Sequence, residues 1–164
     1  MFRYETLGGH QRAGLSWCCQ NRGGERRGNE SAPRGSKHFE ALPAGNSADG
    51  ALVPFGTYWR LGANFATTFE TNKEISFAGR SLAAGKYRVY AVPEDDHWVI
   101  SLNSEFGSFG YTQPDYEKDI MSVNIASAQL MTAVEQFTID FVEGDDSLSL
   151  RFRWDTTSVS LPIN

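Results

Sequence analysis

A chain of 164 residues with a formal net charge of −5 has room for one domain and a tail. Its hydrophobic content of 40% against 21% charged residues suits a packed core and argues against disorder along the whole length. The negative balance weighs against nucleic acid or an anionic membrane as a general partner, and no run of sequence is long and apolar enough to span a bilayer.

In chain order, residues 1–48 stand apart. They carry a charge of +3 against −8 for residues 49–164, and nine of the sixteen glycines lie in the first 50 positions. The stretch Arg22-Gly23-Gly24-Glu25-Arg26-Arg27-Gly28 has no helical or alternating apolar period, so the segment reads as low-complexity and disordered. An Arg/Gly tail for nucleic acid is the other reading of these residues, opposed by their few aromatics and mixed charges. No secretory leader is legible, because the apolar run around Trp17 is too short and is set among Gly and Arg. Cys18 and Cys19, adjacent and both in this segment, make a strained pair for a disulfide. Residues 49–164 hold no cysteine, so no disulfide framework or Cys-based zinc site is available there.

From Ala51 the texture becomes that of a β protein, and an aromatic share of 13% fits pleated, half-buried surfaces. Strands are expected over 57–61, 66–70, 86–92 and 97–103, with a small hairpin of 74–77 and 80–82 turning at Ala78-Gly79. Residues 104–118, rich in Gly, Ser, Asp and Tyr, read as a long loop. A strand follows over 119–126, then a short helical turn or loop over 129–134.

The C-terminal part alternates most clearly. Phe137, Ile139 and Phe141, then Leu148, Leu150, Phe152 and Trp154, face one side. If the turn closes Val142 onto Ser147, the inward pairs are Phe141–Leu148, Ile139–Leu150 and Phe137–Phe152, with Thr138 opposite Arg151 and Gln136 opposite Arg153. A last strand ends at Ile163. About eight short strands without an intervening 3.6-residue stripe predict an all-β fold, an antiparallel β-sandwich or flattened barrel over residues 49–164.

Chemistry is harder to read. GxSxG, HExxH, Walker and GxGxxG patterns are absent from the sequence, and nothing calls for a cofactor or a metal. His97, beside an acidic turn, reads as a solvated histidine. The run Trp59-Arg60-Leu61-Gly62-Ala63-Asn64 reads as a strand ending in a tight bend with polar groups at its mouth. Arg60 offers a planar fork for an anionic or polar ligand; the structural alternative pairs it with a carboxylate such as Asp119 to pin a loop. Asn64 is a second candidate donor, or the cap of a turn. Asp115, Glu117 and Asp119 alternate and would face one way if extended, but they read as a solvated acidic loop rather than a cation site. Tyr111 and Tyr116, either side of Pro114, either stack on a ligand or fold back over the sheet.

The runs Gly50-Ala51-Leu52-Val53-Pro54-Phe55-Gly56, Trp59 to Asn64, Ala84-Gly85-Lys86-Tyr87, Val92-Pro93, Glu117-Lys118-Asp119, Trp154 and the closing Ser158 to Ile163 together resemble the bacterial domain-of-unknown-function 2911 family. The likeness spans Gly50 to Ile163. It departs at Leu61, where the family usually has Thr, and at Phe65, where an acid is usual. The resemblance implies a small β domain in proteins that carry an export signal, hence a periplasmic or secreted setting, and it implies no activity. Family members begin with two further strands that residues 1–48 do not match, which adds a third reading of that segment, a wrong start or shifted frame. The expected function is therefore a non-enzymatic module binding a small polar ligand or a protein partner near Arg60, Asn64, Tyr111, Tyr116 and Asp119. The alternative is a hydrolase-like enzyme with Asp119 or Asp115 as base and Arg60 as anion clamp.

Overall fold

The computed structural model describes residues 50–62, 64–144 and 147–164, with the backbone of 2–4, 15–18 and 44–45. The reading of 1–48 as disordered or out of frame falls for the most part outside the described residues. Its described pieces are β1 (Phe2–Tyr4), β2 (Leu15–Cys18) and β3 (Ala44–Gly45). The rest of the chain supplies β4 (Val53–Pro54), β5 (Thr67–Thr71), β6 (Ile75–Phe77), β7 (Arg80–Leu82), β8 (Gly85–Pro93), β9 (His97–Asn103), β10 (Asp119–Glu143) and β11 (Leu148–Ile163). Among the described residues no helix is long and apolar enough to cross a membrane.

The fold is all-β, as the alternation requires. One antiparallel sheet runs in the order β1-β2-β5-β8-β9-β10-β11-β6-β7 and does not close, while β3 and β4 form a small parallel pair. The long strand β10 joins the two halves of the sheet. Its first part pairs with β9 and its later part with β11, with register shifts on either side of Val134. Opposite that irregularity Asp155 has a positive φ of 49°. Such bulges bend a strand and let it pass from one layer to the other.

The two layers face each other across one apolar interior. Phe69 of β5 meets Phe77 of β6 at 5.3 Å between ring centroids, and Trp98 of β9 meets Phe152 of β11 at 6.4 Å. Val89↔Leu102 and Ala91↔Ile100 are aligned in the β8–β9 ladder, so each pair lays its apolar partners side by side toward the same core. The β6–β7 hairpin turns where expected: Ala78 and Gly79 both have positive φ, 49° and 78°, the geometry of the tight turn that matches strand twist.

Four expectations need correction. Residues 57–61 do not form a strand. Trp59 makes one bridge to Ala91, donating its N–H to Ala91 O at 2.8 Å and accepting at 2.9 Å. Leu61 then turns at φ 56° and is fully buried, so the bend tucks an apolar side chain inward rather than continuing the ladder. Residues 129–134 are strand, not a helical turn or loop: Gln129 pairs with Thr157 and Val134 with Asp155 of β11, with a bulge between the two pairs. The strand begun at Asp119 accordingly does not stop near 126 but runs on to Glu143, and β10 and β11 are long rather than short. The β10–β11 register lies two residues from the expected one: Phe141 pairs with Leu150, Ile139 with Phe152 and Thr138 with Arg153. A slip of two leaves every side chain on its face. It also sets Asp140 opposite Arg151, whose guanidinium donates to both carboxylate oxygens at 3.1 and 2.7 Å, and the turn closes with Gly144 N–H to Ser147 O at 2.8 Å.

Candidate functional site

The ladder between β5 and β8 stops at Val89. The rest of that edge of β8 is taken by the incoming chain, through the Trp59–Ala91 bridge and a Gly56 N–H to Pro93 O bond at 2.9 Å. This places residues 52–62 across one end of the sandwich. Between them, the 111–113 stretch of the long loop and Trp154 lies an open cleft of about 620 Å³. Its lining includes Tyr58, Trp59, Arg60, Tyr111, Gln113 and Trp154.

Trp59 ties the cleft floor to the core. Its indole stacks on Trp154 at 5.2 Å and 25°, meets Trp98 edge-on at 5.3 Å and touches Phe137 at 4.6 Å. Such aromatic contacts fix a ring more tightly than burial alone. Arg60 is half-buried at the cleft. Its Nε donates to Gly62 O at 2.8 Å, closing the bend, and among the described residues its terminal nitrogens are given no partner. Tyr111, 76% exposed, also lines the cleft.

Behind the cleft lies a second layer of polar groups, on the outer face of β8 and β9. Arg88 is only 1% exposed. Its guanidinium donates to Ser108 Oγ at 2.9 Å, to Thr112 O at 2.5 Å, to Gly110 O at 3.3 Å and to the Tyr58 hydroxyl. Tyr58 in turn donates to Gly110 O at 2.8 Å. Arg88 thereby pins the loop that carries Tyr111. Gly110 sits where a Cβ would come within 3.0 Å of Ala66 N, Arg60 Cδ and Asn64 O, so the loop reaches the Arg60 bend only because this residue has no side chain.

Beside Arg88, Tyr90 donates to Asp119 Oδ2 at 2.6 Å, and Asn103 Nδ2 donates to Asp119 Oδ1 at 2.7 Å and to Asp115 O at 2.8 Å. The rings of Tyr58, Tyr90 and Tyr116 form a row, 5.4 and 6.0 Å between centroids. Burial pushes the Tyr90 phenol well above the usual tyrosine range, and the carboxylate it bonds adds to this. Burial also raises Tyr116, with Tyr58 and Asp119 adding and Arg88 opposing. At the loop ends Lys118 contacts Glu105 at 3.3 Å and Asp115 at 3.4 Å. The Asp115 backbone N–H, and then Lys118, hold the Glu105 carboxyl below its ordinary value.

The structure thus brings Arg60 and Tyr111 into one cleft. Tyr116 and Asp119 belong to the adjoining polar layer. Asn64 is exposed at φ 57° and serves the bend, its carbonyl accepting from Gly110 N–H at 2.9 Å. Asp119 does not pair with Arg60; the arginine that pins a loop is Arg88. Asp115 and Asp119 turn to different partners, and among the described residues no three His, Cys, Asp or Glu side chains are grouped to hold a metal. His97 bonds Asp96 at 2.6 Å on the surface, away from the cleft lining. Arg88, Tyr58 and Trp154 were missed from sequence. The available signal was strand 86–92, where both alternating sets, Tyr87-Val89-Ala91 and Arg88-Tyr90-Val92, are bulky enough to demand cover on two faces.

An open-edged antiparallel β fold with an aromatic cleft at one end defines the class. The chain belongs to the family described as "Protein of unknown function (DUF2911)", matched over residues 44–163. The match begins at the first residue of β3 and takes in every element of the cleft. No curated protein and no solved structure matches the chain.

Proposed function

We propose that this is a non-enzymatic binding module that takes a small polar ligand in the cleft between Arg60 and Tyr111. The observation that carries the reading is the composition of the lining. It joins one guanidinium to four aromatic side chains and, among the described residues, includes no carboxylate, histidine or cysteine. A planar or sugar ring can stack there while the fork of Arg60 bonds a polar substituent. The volume falls in the usual range for small-molecule sites, about 300–1,000 Å³. A hydrolase-like reading gains no support, since Asp115 and Asp119, the two proposed bases, are hydrogen-bonded elsewhere and do not line the cleft. The charge of −8 over residues 49–164 supports a small ligand over nucleic acid. The family likeness supports a bacterial, periplasmic or secreted setting, which fractionation of cells expressing the protein from its own locus would check.

The test is a thermal-shift screen with a panel of small organic acids and sugars, on wild type and on Arg60→Ala. A compound that raises Tm in wild type and not in the folded variant supports the site. An equal shift in both, or collapse of the variant without any compound, contradicts it.

A further inference from the structure

We propose that the cleft selects a ring bearing a carboxylate, and that Arg88, buried behind Tyr58, is the residue that sets this preference. The inference rests on reading the cleft as a binding site and adds the chemical class of its ligand.

A guanidinium withdrawn from water is costly unless a counter-charge meets it. Arg88 is buried, yet its partners are a hydroxyl, a phenol and two backbone carbonyls. These are dipoles, and among the described residues no carboxylate stands within ion-pair distance of it. Its Nε is also buried and without a hydrogen-bond partner. Asp119, the acid of the same polar layer, is engaged by Tyr90 and Asn103. The guanidinium therefore meets dipoles in direct contact and makes no ion pair with Asp119, whose own bonds go to the neutral groups of Tyr90 and Asn103.

Tyr58 is what separates that charge from the cleft. Its ring lies 5.6 Å from the Arg88 guanidinium, its hydroxyl accepts from Arg88, and the same residue lines the cleft. Across a single side chain a unit charge is less screened than across bulk solvent. Arg60 adds a second cation of the same sign at the cleft itself. Two arginines thus stand at and behind the cleft in a protein whose net charge is −5. Arg88 has a second consequence for the cleft. By holding the carbonyls of Gly110 and Thr112 it fixes the residues on both sides of Tyr111, which lines the cleft with Arg60.

Trp59 and Trp154 make the site readable by its own fluorescence. The full-length chain would be titrated with benzoate and with glucuronate, each against a neutral partner of like shape, benzyl alcohol and glucose. The expected result is saturable quenching by one carboxylate, bound at least about tenfold tighter than its neutral partner, the size of one charge-assisted hydrogen bond. Which of the two binds separates an aromatic acid from a sugar acid. In Arg88→Met the ratio of acid to neutral affinity falls toward unity, whereas Arg88→Lys keeps it. If Arg88→Met does not fold, the ratio is read in Arg88→Gln, which keeps hydrogen-bonding groups without the charge, and an unchanged ratio there overturns the role of Arg88. Equal binding of acid and neutral partner by wild type leaves the cleft a binding site and overturns the charge preference. An unchanged ratio in a folded Arg88→Met overturns the assignment to Arg88. No binding by any of the four probes overturns both this inference and the reading it rests on.

Discussion

The two faces of the β8–β9 ladder are made by the same strands under different rules. Inward, Tyr87, Val89, Ala91, Trp98, Ile100 and Leu102 join one apolar cluster. Outward, Arg88, Tyr90, Ser101 and Asn103 are just as buried, but beneath a loop and by directed hydrogen bonds. The inner face is held by area removed from water, which asks only for shape and volume. The outer face is held by partners, since each buried polar atom costs unless another polar atom meets it. The first rule makes a stable layer. The second fixes where a loop lies and what charge stands behind it, which is what a binding site needs.

Substitutions on the two faces should therefore fail differently. The largest loss is expected inside: Phe152→Ala, at a ring that is 1% exposed, should destabilise by about 3–5 kcal/mol in urea unfolding, the combined transfer and cavity cost. A loss under about 1 kcal/mol would mean that the layers are not packed as described.

On the outer face Arg88→Met should cost about 2–3 kcal/mol, the scale of hydrogen bonds to a charged group. Its distinguishing mark is local. The Thr112 amide, bonded to Phe109 O at 3.0 Å, should exchange faster with solvent while the amides of β8 and β9 keep their protection. Uniform loss of protection would erase the distinction between the two faces.

A smaller effect separates them by pH. The Tyr90 phenol is raised in the folded state, so the unfolded chain releases that proton first as pH climbs past the ordinary tyrosine value, about 10. Folded protein then binds more protons than unfolded, and stability falls with rising pH by up to about 1.4 kcal/mol per unit. Tyr90→Phe should flatten this alkaline slope in unfolding measured at successive pH values. An unchanged slope would show that Tyr90 is not held in its neutral form by burial and Asp119.

The inner face was legible in the sequence and the outer one largely was not, for a physical reason. Period-two alternation identified β9 to its end residues and placed Ile139, Leu150 and Phe152 in the core, and the two short runs either side of Ala78-Gly79 located the hairpin turn. Alternation cannot distinguish registers two residues apart, so the β10–β11 pairing was read with the right faces and the wrong partners. Asp140 facing Arg151 was the clue to the true register. The bend at Trp59 to Asn64 was legible as a bend, and Arg60 and Tyr111 both line one cleft. Arg88 stayed hidden because two of its partners are the carbonyls of Gly110 and Thr112. Backbone acceptors carry no side-chain signature, and a loop that folds back over a sheet leaves no period to read.

Ligand binding is assigned to the cleft beside Arg60. It is tested most directly by titrating the isotope-labelled protein with the tightest carboxylate found and following backbone and indole N–H shifts. Changes are expected only at the Trp59 and Trp154 indoles, Arg60 and residues 111–113. Shifts centred instead on Arg151 and Arg153, the arginines that share Asp140 on β10, would contradict it.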